Sequence, residues 1–143
     1  MILLDTNVIS ELMRTVPEPA VVNWLNRQDA REVVLSTVSI AEISYGIQCL
    51  ADGQRKRSLA ERFERFLSAG FSQRVLDFDE SAALAYGELM AWRRSIGRPM
   101  GILDGQIAAI ARVRGCAIAT RNTADFAQAV AELINPWTST GPQ

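Results

Sequence analysis

Residues 1–12 read MILLDTNVISEL: an apolar run stops on a carboxylate, Asp5, and passes through Thr6 and Asn7 into a helical pattern. Met1–Leu4 has the uniformly apolar character of a short strand buried on both faces of a parallel sheet. Thr6 and Asn7 suit a helix start, and Ile9, Leu12 and Met13 then share one helical face. A strand that ends on an acid and turns directly into a helix is one unit of an alternating α/β fold. Acids placed in comparable positions recur at Glu42, Asp104 and Asp125.

Working outward, Pro17 and Pro19 close the first helix, and Ala20–Asn26 predicts the next. Val33–Leu35 reads as the second strand. From Ser36 the spacing of Val38, Ile40, Ile43, Ile47 and Leu50 is helical, with Gly53 expected to end it. Leu59, Phe63, Phe66 and Leu67 mark an amphipathic helix closed by Gly70. Arg74–Phe78 predicts a third strand. Glu80–Ile96 predicts a helix carrying Leu84, Leu89 and Trp92, stopped by Gly97 and Pro99. Asp104 opens a further helix, with Ile107, Ala108, Ile110 and Ala111 inward and Gly115 at its end. Cys116–Ala119 is the fourth strand candidate, Thr123–Ala131 a short helix, and Leu133–Ile134 a last edge strand. The pattern predicts one α/β domain over residues 1–137 with a mostly parallel sheet, followed by a polar tail, 138–143. There is no internal repeat, linker or low-complexity segment.

Composition narrows the chemistry. The chain has 143 residues, a length that suits one domain, and a formal net charge of -1, which gives no global basic field. No apolar run is long enough to span a bilayer, and the opening lacks the pattern of a signal peptide, so a cytoplasmic protein without membrane contact is expected. Two cysteines, Cys49 and Cys116, suit reduced, buried thiols. Arg55-Lys56-Arg57 and Arg93-Arg94 with Arg98 are local basic clusters, read either as solvated helix faces or as phosphate contacts. The chain contains no histidine. That excludes Ser-His-Asp and Cys-His catalysis and imidazole-based zinc sites. Lys56 is the one lysine, and its charged neighbours argue against a buried nucleophile. Chemistry, if present, falls to carboxylates, hydroxyls and a metal.

Ligands in an open parallel sheet bind beyond the carboxyl ends of the strands. Asp5 follows strand one, Glu42 lies two turns into the helix after strand two, Asp104 opens the helix leading to strand four, and Asp125 follows strand four. Each has a structural alternative. Asp5 could accept N–H groups at the next helix start. Ser39 and Glu42 have capping-box spacing. Asp104 could be an N-cap, and Asn122 and Asp125 have N-cap and N3 spacing. Taken together they favour one acidic cluster within a few ångströms, whose repulsion a divalent cation would relieve. Mg²⁺ or Mn²⁺ prefers carboxylate oxygen and retains water, which points to metal-dependent phosphodiester hydrolysis.

The blocks MILLDTNVISEL, STVSIAEISYGI, LDGQIAAIA and IATRNTADF, together with the closing NPW, resemble in order the PIN-domain ribonuclease toxins of the VapC type, including the FitB-like branch. The likeness spans nearly the whole chain. It implies a three-layer α/β/α sandwich and the toxin of a type II toxin–antitoxin system, an Mg²⁺- or Mn²⁺-dependent endoribonuclease cutting RNA with metal-activated water. Asp5, Glu42 and Asp104 fall on the family's three principal acids and Asp125 on its usual fourth. Asp5 and Asp104 are the first choice as metal ligands. Thr6 and Asn7 would orient Asp5 or a water, and Thr120 would support the site. Some FitB-like members carry their acid at the position of Asn122, so the roles of Asn122 and Asp125 stay open. The resemblance further implies a VapB-like antitoxin that blocks a groove and contacts DNA on the toxin's behalf, and a homodimer within a higher assembly. The faces around Ile43, Ile47 and Leu50 and around Phe63, Phe66 and Leu67 either line that groove or are core.

A phospho-receiver module and a haloacid dehalogenase-type phosphatase both need a lysine that Lys56 does not supply. A housekeeping RNA-processing PIN nuclease and a non-catalytic PIN-like RNA- or protein-binding module are the remaining alternatives.

Overall fold

The computed structural model describes residues 1–139; the end of the tail, residues 140–143, lies outside them. Five strands form one parallel sheet: β1 (Ile2–Leu4), β2 (Val33–Ser36), β3 (Val75–Leu76), β4 (Ala117–Ala119) and β5 (Leu133–Ile134). Their order across the sheet is β3-β2-β1-β4-β5. In register, Leu3 faces Val34 on one side and Ile118 on the other, and Ala119 faces Ile134 beyond. The connections are α1 (Thr6–Leu12), α2 (Pro19–Asn26), α3 (Thr37–Gln48), α4 (Gln54–Arg65), α5 (Glu80–Ser95) and α6 (Ile102–Arg114).

Strand side chains alternate between the two faces of the sheet. Leu3, Val34 and Ile118 join Leu89 of α5 and Ile107 and Ile110 of α6 in one core. Leu4, Leu35 and Ala119 join Val8 and Ile9 of α1, Trp24 of α2, Ile43 and Ile47 of α3 and Phe63 of α4 in the other. These two cores flank the sheet and make the expected three-layer α/β/α sandwich. Such central strands must be apolar on both faces, which is why β1 and β2 read as continuous runs.

Several boundaries differ from the sequence reading. α3 ends at Gln48, capped by Cys49, so Gly53 does not end it but precedes α4. Cys49 is exposed, contrary to expectation, whereas Cys116 is buried. The third strand shrinks to Val75–Leu76. α6 starts at Ile102 behind the cap residue Gly101, so Asp104 is not an N-cap but lies in the first turn. The predicted helix 123–131 is a single 3-10 turn, Thr123–Phe126. Leu84 and Trp92 do not face inward with Leu89: they are 68% and 42% exposed. The basic cluster at α5 is split too, because Arg93 is buried rather than solvated.

Candidate active site

The segments that carry the acids meet at the carboxyl edge of the sheet because β1 lies between β2 and β4. Asp5 donates its backbone N–H to Ala119 O at 2.9 Å, extending the β1–β4 ladder by one residue. Its side chain is nearly fully buried at that point. Oδ1 accepts the Thr6 N–H at 2.8 Å, so Asp5 does cap α1 as well. Oδ2 accepts the Thr120 hydroxyl at 2.8 Å.

Thr120 is completely used. Besides donating to Asp5, its oxygen accepts the Asn122 N–H at 3.0 Å and Asn7 Nδ2 at 3.4 Å. A hydroxyl offers one proton and two lone pairs, so no capacity is left over. Asn7 in turn accepts the Arg121 N–H on Oδ1 at 3.4 Å. Asn7 thus braces Thr120 and the turn after β4, and Asp5 draws its own bonds from Thr6 and Thr120.

On the other side, Glu42 is held by a file of hydroxyls. Ser36 caps α3 by accepting the Ser39 N–H at 3.1 Å, so the cap pair is Ser36–Ser39 and not Ser39–Glu42. That leaves Glu42 free inside the helix. Thr6 donates its hydroxyl to Glu42 Oε1 at 2.8 Å and also lies 2.8 Å from Ser39 Oγ. Thr6 has one proton, committed to Glu42, so Ser39 donates to Thr6. Ser36 donates to Ser39 at 3.4 Å. The file Ser36–Ser39–Thr6–Glu42 points every proton toward the carboxylate, and each bond polarises the next.

Asp5, Glu42 and Asp104 open on one cavity of about 480 Å³, whose wall also includes Asn7, Arg121, Asn122 and Trp137. Asp125, which is exposed, opens on an adjoining cavity of about 440 Å³ that shares Asp104. So Asn122 faces the main cavity and Asp125 the side cavity. Among the described residues no three Asp, Glu or Cys side chains form a ready-made ligand cluster. This corrects the expectation of acids packed within a few ångströms: they ring a shared space instead.

They still interact electrostatically. Burial pushes the Asp104 carboxyl up to about 6, with repulsion from Asp5, Asp125 and Glu42 adding to it. Burial also raises Asp5 above the usual carboxylate range; the bonds from Thr120 and Thr6 oppose this, and Glu42 and Asp125 reinforce it. Two acids destabilised in their charged forms are a site short of positive charge. The donor set is all carboxylate and hydroxyl, and the open arrangement leaves room for water. That fits a hard divalent ion of the Mg²⁺ or Mn²⁺ kind, which keeps several waters, better than a closed cage.

A further cavity of about 810 Å³ begins at Thr6 and Glu42 and runs between α1, α3 and α4 past Met13, Ile43, Ile47, Leu50 and Arg62. Ile43, Ile47 and Leu50 therefore line the groove, and the first two also belong to the core. Phe63, Phe66 and Leu67 pack only into the core.

Sequence reasoning missed several residues. Ser39, completely buried beside Thr6, carried a visible sign in its spacing from Ser36. Arg93 had no such sign. It donates Nε to Arg98 O at 2.6 Å, Nη1 to Ala127 O at 2.8 Å and Nη2 to Asp125 O at 3.3 Å. One guanidinium thus ties the loop before Asp104 to the turn carrying Asp125.

A parallel sheet in this order with acids gathered at its carboxyl edge is an arrangement of the PIN-domain kind, and the chain belongs to the PIN-domain family: the family's model matches residues 2–132. The chain is similar to Toxin FitB of Neisseria gonorrhoeae, 39% identical over 137 residues that cover 96% of this chain and 99% of that protein. VapC ribonuclease Y4jK of Sinorhizobium fredii is 39% identical, with 96% and 98% covered. Among solved structures, FitAB bound to an IR36 DNA fragment superposes with a TM-score of 0.91 at 38% identity, covering 100% of both chains. Among the described residues no helix is long and apolar enough to cross a membrane.

Proposed function

We propose that this protein is the toxin of a type II toxin–antitoxin system and acts as an endoribonuclease dependent on Mg²⁺ or Mn²⁺. The observation that carries the reading is the acidic cavity itself. Asp5, Glu42 and Asp104, from three segments distant in sequence, share it, two of them are disfavoured in their charged forms, and among the described residues none of the three is in an ion pair, whereas Glu11 on the same wall is paired with Arg14. The likeness to proteins named toxin and ribonuclease runs through the same segments.

Asp5 and Asp104 would hold the ion. Bound there, it would neutralise the acids and the substrate phosphate and lower the pKa of an attacking water. Asp5 is fixed by Thr6 and Thr120 and cannot swing away. Glu42, oriented by Thr6, stands where it can accept a proton from the attacking water. Asn122 and Asp125 complete the wall on the β4 side. By family likeness the products carry a 5′-phosphate and a 3′-hydroxyl. The long apolar groove ending at Glu42 suits an amphipathic segment of an antitoxin, and an arginine at its tip would meet the acids. DNA contact would come through that antitoxin. A homodimer is part of the same proposal; Leu84 and Trp92 of α5 and Ile102 and Leu103 of α6 are exposed apolar side chains that a second copy would cover.

The test is cleavage of an unstructured RNA by the purified chain with magnesium, manganese or EDTA, beside Asp5→Asn and Asp104→Asn. Cleavage that needs the metal and disappears in both folded variants supports the reading. Full cleavage by either variant, or none by the parent with any divalent ion, overturns it.

A further inference from the structure

The acidic cavity must admit an anionic phosphodiester, so a cation has to stand at its wall. Two arginines do: Arg14 and Arg121. Arg14 is committed, with Nη1 3.1 Å from Glu11 Oε2. Arg121 is exposed and makes no ion pair among the described residues. Its guanidinium carbon stands over the indole of Trp137, 5.0 Å from the ring centroid. Trp137 also lines the cavity.

Both partners are seated from below. The Arg121 N–H bonds Asn7 Oδ1 at 3.4 Å, two residues from Asp5. The Trp137 N–H bonds Asn135 Oδ1 at 3.0 Å, forming a tight turn after β5. Arg27 Nη2 reaches Ser139 O at 3.4 Å and pins the chain beyond. A guanidinium placed over an aromatic ring is held there by the ring's quadrupole without using up its N–H donors. Free N–H donors suit a phosphate, and an exposed guanidinium beside an indole suits an unpaired base, the two features of a single-stranded RNA.

Resting on the nuclease reading above, we propose that Arg121 is the substrate-binding cation of this site: backed by Trp137, it holds the single-stranded RNA segment next to the scissile phosphate. Trp137 is a positioning residue that keeps the guanidinium at the cavity mouth.

The test separates binding from cleavage. Anisotropy of short fluorescein-labelled oligo(A) and oligo(U) RNA in EDTA, over a salt series, gives affinity and its ionic slope; steady-state cleavage with magnesium gives KM and kcat. Arg121→Ala should weaken binding about tenfold and reduce the log–log salt slope by about 0.7, the loss of one phosphate contact on a single strand. KM should rise by a similar factor with kcat within about twofold. Arg121→Lys should keep the slope but recover only part of the affinity, because an ammonium does not stack. Trp137→Phe should stay near the parent and Trp137→Ala should fall toward Arg121→Ala. Arg121 is exposed, so its replacement does not threaten folding, and an unchanged Tm confirms that. Parental affinity and slope in Arg121→Ala, or an effect confined to kcat or to binding of a partner protein, overturns the proposal while leaving the nuclease intact. A parent that neither binds nor cuts RNA overturns the nuclease reading first.

Discussion

Thr6 holds two acids at once. Its backbone N–H donates to Asp5 Oδ1 and its hydroxyl donates to Glu42 Oε1, each at 2.8 Å. The end of β1 and the middle of α3 are thereby locked together through a single residue, and the spacing of two candidate functional carboxylates is set by its geometry. Thr6→Val keeps the shape and the N–H but removes the hydroxyl. It should leave Asp5 in place, free Glu42 to rotate, and lower kcat about tenfold or more with a smaller change in divalent-ion affinity. Thr6→Ser should restore most of the rate. Equal losses in both variants would contradict the role given to the hydroxyl.

Thr120→Val is expected to hurt differently. It removes the donor to Asp5 Oδ2 and the acceptor for the Asn122 N–H. Stability should fall by about 1–3 kcal/mol, the cost of stranding buried polar groups. Asp5 should become harder to ionise, so calorimetric titration should show weaker magnesium binding at neutral pH. Unaltered stability and binding would mean that water replaces the hydroxyl without cost.

Asp104 makes a pH signature. It keeps its proton to about pH 6 in the fold but releases it near 3.8 when unfolded. Between those values the unfolded chain binds fewer protons, so metal-free stability falls as pH rises through the window and levels off above it. In EDTA, Asp104→Asn should therefore have a higher Tm than the parent at pH 7, with the gap closing toward pH 4. Divalent-ion affinity of the parent should fall as pH drops through about 6. A variant no more stable than the parent at neutral pH would show that Asp104 carries no burial penalty.

Arg93 is expected to matter for stability and for the far side of the site together. Arg93→Met leaves three backbone carbonyls without their donor, those of Arg98, Asp125 and Ala127. A loss of about 3 kcal/mol is expected. Hydrogen exchange should quicken in residues 98–104 and 122–127 in concert. Faster exchange in one segment alone would show that the guanidinium does not couple them.

The two thiols should separate cleanly. Cys49 is exposed, whereas Cys116 is buried and its thiol is pushed up by that burial. An aromatic disulfide reagent at neutral pH should modify one cysteine of the native chain, and Cys49→Ser should abolish that reaction.

Much of this was legible in the sequence because each element announced itself twice. β1 and β2 are apolar without alternation and end on polar residues that start helices, so strand, helix start and acid were read from one stretch. The edge of the parallel sheet was legible as the common ground of the four acids, and Asp5, Glu42 and Asp104 do line one cavity there, with Asp125 on the adjoining one. The short elements were less legible. β3 is two residues paired to β2, and its neighbours Arg74 and Phe78 only look like strand. The turn 123–126 was read as a longer helix because Phe126 and Ala129 are core residues that mimic a helical period. Arg93 was invisible for a different reason: its partners are backbone carbonyls, which leave no mark in the residue pattern. Trp137 and Arg121 stand next to recognisable motifs, but a cation-to-ring contact between distant side chains has no spacing to read.

The pairing of β1 with β4 fixes when the molecule can act. Asp5 is seated by a hydroxyl 115 positions later in the sequence, that of Thr120, and its backbone N–H bonds Ala119 of the strand beside it. Until that segment docks, Asp5 has the Thr6 N–H but neither the Thr120 hydroxyl nor the β4 wall. The centre is therefore completed by a segment distant in sequence: a fragment lacking Ala119 and Thr120 has nothing to hold Asp5 in its seat.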